Sequence, residues 1–166
     1  MSSARKVYGL ALLSGFALAI AAAVAGGAHG QAAPPALAYQ ASVSDLMLTI
    51  IQPRHRNLWL ARQAGNWDYA AYEAGNLAGA FGRLGRAHPA IGDIPLQDMI
   101  ASVTTQPLQD LAAAAKAHDA AAFDKAYSDL TDGCNACHEG TNHSVVVIRV
   151  PSTDATVDQD FRPTAH

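Results

Sequence analysis

Residues 119–139 read DAAAFDKAYSDLTDGCNACHE, and this stretch decides the fold. Phe123, Tyr127, Leu130 and Cys134 recur at spacings of four and three, the period of one helix face. Asp119 stands where an N-cap is needed. A helix is therefore predicted from this cap to about Glu139. Upstream, Thr105-Gln106-Pro107 starts a third long helix, with Pro107 in a first-turn position that tolerates it. That helix buries Leu108, Leu111 and Ala115 and ends near His118. A short helix over 96–103 precedes it, after a loop that runs from His88-Pro89 to Ile94-Pro95. Asn66 caps a second helix over 67–86, whose buried stripe is Ala70, Ala74, Leu77, Phe81 and Leu84. Ser42 and Ser44 are candidate caps of a first helix over 43–62, with Leu46, Met47, Ile50, Ile51, Leu58 and Leu60 as its apolar residues. Pro53 interrupts it. A proline inside a helix costs about 3 kcal/mol unless a kink absorbs it, so one kinked helix or two stacked segments are expected. The fold class is all-α. Four main helices with short connections pack most simply as an antiparallel four-helix bundle.

Composition agrees with one such domain. The chain has 166 residues, half of them hydrophobic and only 15% charged, which excludes an intrinsically disordered chain. A net charge of −3 with no basic run removes the electrostatic footprint of a nucleic-acid binder. Two cysteines cannot build a disulfide scaffold. Arg5 and Lys6 precede an apolar stretch over 7–25, followed by Gly26-Gly27-Ala28-His29-Gly30. That is the order of a secretory signal, with cleavage expected before Gln31. The competing reading is an uncleaved anchor, since about 20 apolar residues span a membrane, but the run is Ala-rich and no basic cluster follows it. The expected organisation is a signal peptide over 1–30, a linker over 31–41, the helical domain over 42–140 and a C-terminal extension over 141–166, acidic, polar and loose from Pro151 on. Val145-Val146-Val147-Ile148 is a β-prone run within that extension. Losing the leader leaves nine basic against fourteen acidic side chains.

Cys134-Asn135-Ala136-Cys137-His138 is C-x-x-C-H, the attachment signature of a c-type haem. Two thiols three residues apart on a helix reach the two vinyl groups on one side of the macrocycle. His138, four residues beyond Cys134, falls on the same helix face and becomes the proximal iron ligand. Three other readings compete. A redox dithiol sits at the start of a helix after a strand, and no βαβ pattern is present. A zinc site needs two more ligands, and only His143 and His88 are at hand. A zinc-protease helix needs H-E-x-x-H, and His143 comes one residue too late. A helical protein with a C-x-x-C disulfide remains as the reading without haem.

The motif lies late in the chain, at the end of the last helix. This arrangement resembles the class II c-type cytochromes, cytochrome c′ and its low-spin Met-ligated relatives, over 42–140. The resemblance implies one covalent haem c between the helices, on Cys134 and Cys137, with His138 proximal and a distal residue on the first helix. Two departures stand out: Glu139-Gly140 replaces the family's aromatic-Arg pair, and a tail follows that could cover a haem edge or reach a propionate through Arg149 or His143. Met47 is the candidate for the family's distal Met, a soft ligand that favours ferrous iron. Its other reading is core filler. His55, two turns on, is a second distal candidate, and an open sixth position is the third.

Trp59 and Trp67 read as core or haem-packing aromatics, and His88 and His118 as helix-end residues. Arg54, Arg56 and Arg62 read as a solvated helix face or as propionate partners. The resulting expectation is a periplasmic monohaem electron carrier with redox partner proteins. The alternative is a five-coordinate protein binding NO or CO. Beyond iron, no acid, base or nucleophile assembly is legible, so no enzyme is expected. The family often forms homodimers. Gly75, Gly79 and Gly82 permit close approach of another helix or a flat ligand.

Overall fold

Ser42 opens the first helix with a capping box. Its hydroxyl accepts the Asp45 N–H at 3.0 Å, and the Asp45 carboxylate accepts the Ser42 N–H at 3.2 Å. The protein is described here by a computed structural model over residues 39–152 and 159–160. The expected signal peptide, its cleavage site and most of the linker lie outside the described residues. Helix α1 (Val43–Leu46) runs into a π turn (Met47–Ile51) and on into α2 (Gln52–Gln63). The π turn closes with the Gln52 N–H on the Met47 carbonyl, an i→i+5 bond. Pro53 explains it. The proline has no N–H for the Thr49 carbonyl and its ring crowds that turn, so the helix widens for one turn instead of breaking. The junctions keep right-handed helical angles, so the chain runs on through the π turn without a break.

Helix α3 (Trp67–Ala87) starts at Asn66, whose side chain accepts the Tyr69 N–H. Helix α4 (Leu96–Ala117) is one continuous element with Pro107 inside it. The expected division into a short helix and a third helix from Thr105 is thus corrected: Pro107 costs α4 one hydrogen bond but not its continuity. The reason lies in packing, because Ile100 and Thr104 before the proline and Leu108 and Leu111 after it are all buried. His118 ends α4 in a left-handed conformation (φ 54°). Helix α5 (Ala120–Gly140) follows at once, capped by the Asp119 carboxylate on the Ala122 N–H.

Sequence neighbours pack on one another: α2 on α3, α3 on α4 and α4 on α5. Side chains join α2 to α5, through Arg62 to Asp124 and through His55 to Tyr127 and Thr131. The predicted stripes of α3, α4 and α5 are buried from Ala70 to Leu84, from Leu108 to Ala115 and from Phe123 to Leu130. Burying each such Leu or Phe fully contributes about 1.5–3 kcal/mol. Leu60 of α2 is 41% exposed.

Within the chain, close helix contact occurs at Gly133 and Gly85. A Cβ on Gly133 would lie 2.6 Å from the Val103 carbonyl oxygen, and one on Gly85 would lie 3.1–3.3 Å from Gln97. Gly75 faces open space, while Gly79 and Gly82 meet only Arg83 and Arg86 of their own helix. Beyond α5, Asn142 (φ 61°) reverses the chain. Strand β1 (Val147–Ile148) then pairs antiparallel with β2 (Gln159–Asp160), Val147 against Asp160 and Ile148 against Gln159. The β-prone run thus forms a strand, and Gln159–Asp160, in the part expected to be loose, pairs with it. Among the described residues no helix is long and apolar enough to cross a membrane.

Candidate functional site

The last turns of α5 place Cys134, Cys137 and His138 on the wall of one cavity of about 540 Å³. The π turn brings Met47 and Ile51 to the same cavity, and α2 adds His55. Ile100 and Val103 of α4 contribute apolar wall, as do Val146 and Ile148 of the returning tail. The volume lies within the range of about 300–1,000 Å³ of small-molecule and cofactor sites. A second, open groove of about 410 Å³ runs between α3 and α4, past Ala74, Gly75, Ala101 and Thr105; no cysteine or histidine lines it.

His138 is oriented by the backbone. Its Nδ1 lies 2.8 Å from the Val146 carbonyl, which can only accept, so Nδ1 carries the proton and Nε2 is the bare nitrogen. Desolvation by burial lowers the His138 pKa below the ordinary histidine value. The Val146 carbonyl works against that shift, and His143 adds to it. The neutral, metal-binding form is favoured. Burial also pushes the Cys137 thiol up. Neither thiol is in a disulfide; Cys137 is buried and Cys134 half-buried.

These facts separate the chemistries. A redox dithiol needs a stabilised thiolate. Here the pair sits in the last turns of a helix, where the dipole disfavours negative charge, and burial favours the neutral thiol. Among the described residues no three His, Cys, Asp or Glu side chains cluster as a metal-ion cage. For zinc, His88 is in the wrong place: its Nε2 lies 2.8 Å from the Ala41 carbonyl, and it does not line the cavity. A porphyrin brings four nitrogens of its own and asks the protein only for axial donors and attachment points. An oriented imidazole, two thiols and a thioether around one apolar cavity fit that demand.

Of the two distal candidates, His55 is already engaged. It is only 3% exposed. The Thr131 hydroxyl donates to the Tyr127 carbonyl at 2.9 Å, so it accepts from His55 Nε2 at 3.0 Å. The Tyr127 hydroxyl lies 2.9 Å from His55 Nδ1 and 2.8 Å from its backbone carbonyl. Ligation by His55 would break this network, whereas the Met47 thioether, half-buried on the cavity wall, breaks nothing.

The other residues singled out in the sequence resolve as packing. Trp59 lies against Tyr127 and Trp67 against His118 and Phe123; neither lines the cavity. Arg54 pairs with buried Glu73 and Arg62 with Asp124, so neither belongs to a merely solvated face. His143 lines the cavity, and Arg149 does not. Two contributors went unread in the sequence. One is the Val146 carbonyl. The other is Asn135, whose carboxamide accepts the Ile148 N–H and donates to the Ile148 carbonyl, both at 2.8 Å. The β-prone run announced a strand, but nothing in it announced where that strand would return. Comparison with protein-family models, with curated proteins and with solved structures found no match.

Proposed function

We infer that this chain is an exported monohaem c-type cytochrome of the class II kind. In this reading it is an antiparallel four-helix bundle that holds one covalent haem c between its helices and exchanges electrons with partner proteins in the periplasm. The observation that carries the reading is the shared cavity: Cys134, Cys137 and an imidazole with a bare Nε2 on one element, and Met47 on another. Bound there, haem supplies one-electron exchange at iron. The thiols of Cys134 and Cys137 would hold the macrocycle through thioethers, and His138 would offer Nε2 to the iron. Met47 would offer its sulfur to the iron, a soft donor that favours the ferrous state. Ile51, Ile100 and Val103 keep the site apolar and exclude water. No acid, base or nucleophile is assembled for turnover in this proposal, and neither nucleic acid nor a membrane is its partner. The leader over 1–30 directs export.

The test is the absorption spectrum of the reduced protein, made with haem-c maturation machinery, with and without carbon monoxide. Sharp low-spin bands indifferent to carbon monoxide support the Met47-ligated electron carrier. A broad high-spin spectrum that shifts with carbon monoxide replaces it with a five-coordinate protein for NO or CO. Absence of covalent haem refutes both.

A further inference from the structure

After α5 the chain does not leave the cavity. The Thr141 hydroxyl donates to the Cys137 carbonyl, the His143 N–H donates to the His138 carbonyl, and the Val146 N–H donates to the His143 carbonyl. Residues 141–148 thus form a strap folded back along the last turns of the helix. Its far end is fastened at one place on α5, by Asn135. A carboxamide has one donor and one acceptor side by side, the same pair that one residue of a neighbouring strand presents. Asn135 uses both on a single residue, Ile148, at 2.8 Å each. Between this clamp and the turn at Asn142 lies Val146, whose carbonyl accepts from His138 Nδ1.

We propose that Asn135, the first residue between the two cysteines, is a positioning residue for the iron: it clamps the strap so that the Val146 carbonyl holds His138 Nδ1 and aims Nε2 into the cavity. The inference rests on the haem reading for its effect on iron, though not for the clamp itself. A carbonyl that draws on the Nδ1 proton makes the imidazole a stronger donor through Nε2. A stronger donor favours ferric iron and lowers the reduction potential. Asn135 touches neither the iron nor the His138 ring in this scheme and acts through the backbone it holds. The spacer position of C-x-x-C-H, which the attachment chemistry leaves open, here sets the geometry of the ligand that follows it.

The test compares wild type, Asn135→Ala and Asn135→Asp as whole chains made with haem-c maturation machinery. Haem content is read separately from the alkaline pyridine spectrum. NMR follows hydrogen exchange of His138 Nδ1–H and of the Ile148 amide in the reduced protein, and electrochemistry gives the midpoint potential. Wild type should protect both protons. In Asn135→Ala both should exchange at least tenfold faster, and the potential should become more positive at unchanged haem content. Asn135→Asp keeps an acceptor for the Ile148 N–H but loses the donor, and should fall between. If the Ala variant does not fold, the Asp variant decides by the same readouts. A His138 proton as protected in the variants as in wild type overturns the proposal, and so does an unchanged potential in a haem-loaded variant. A chain that takes no haem defeats the functional reading alone. Exchange of the two protons then decides the clamp, since neither needs iron.

Discussion

Gly133 packs tightly against α4, and replacing it with alanine tests the geometry that carries the cysteines. An ideal Cβ there would lie 2.6 Å from the Val103 carbonyl oxygen and 3.2 Å from the Val103 Cβ. Both obstacles lie at or next to the backbone, so no rotamer change relieves them. Val103 is also four residues before Pro107, which has no N–H to offer its carbonyl. Helix propensity alone would favour alanine by about 1 kcal/mol. Forcing a methyl against a fixed carbonyl costs roughly 2–3 kcal/mol. The net expectation for Gly133→Ala is a loss of about 1–2 kcal/mol, or roughly 4–10 °C in Tm for a domain of this size. Gly75→Ala is the control, because nothing lies within 4 Å of its added Cβ. It should gain about 0.5–1 kcal/mol. Thermal and denaturant unfolding of the two variants against wild type measures both signs. A Gly133→Ala protein as stable as wild type would refute the α4–α5 approach, and with it the position given to Cys134 one residue on.

Further expectations concern the site. Met47→Ala should convert a low-spin reduced spectrum into one that responds to carbon monoxide; unchanged spectra would make Met47 core filler. Cys134→Ser should leave haem attached through a single thioether, visible as a shifted reduced band and a mass consistent with one bond; two thioethers in that variant would sink the attachment assignment. Thr131→Val removes the acceptor of the buried His55 Nε2–H and should cost about 1–3 kcal/mol in denaturant unfolding. The His138 pKa is lowered in the fold, chiefly by desolvation. Its contribution to stability is therefore complete above about pH 6.5 and is lost as pH falls through its folded value. Haem-free wild type should lose more stability between pH 7.5 and 5 than His138→Gln does; parallel curves would contradict this.

The helix ends were legible because capping is local chemistry. Ser42, Asn66 and Asp119 each accept an N–H three residues on, as their side chains require. The buried stripes of α3 and α5 were legible because period alone sets them. Pro107 misled because its cost is local and its compensation is not: buried Ile100, Thr104, Leu108 and Leu111 hold the helix together across it. The glycines of α3 were legible only as permission: their freedom says where a helix can approach, not where one does. At the site, the cysteines and His138 were legible from spacing. The partner of His138 Nδ1 was not, because a backbone carbonyl leaves no mark on residue type. Asn135 occupied a spacer position whose identity the motif does not constrain, so only its contact with Ile148 reveals its use.

The π turn has one more effect. In a regular helix, Met47 and His55 would lie about 80° apart around the axis, as eight steps at 3.6 residues per turn dictate. Across Met47–Ile51 the wider winding turns the chain less at each step. The turn thus works as a phase adjuster, and both side chains come to line one cavity. Seen this way, Pro53 fixes an angle: residues ahead of it are dialled relative to those behind. Length changes in that short segment would therefore act as rotations, sweeping one side chain out of the cavity and another in while leaving α2 and its packing untouched.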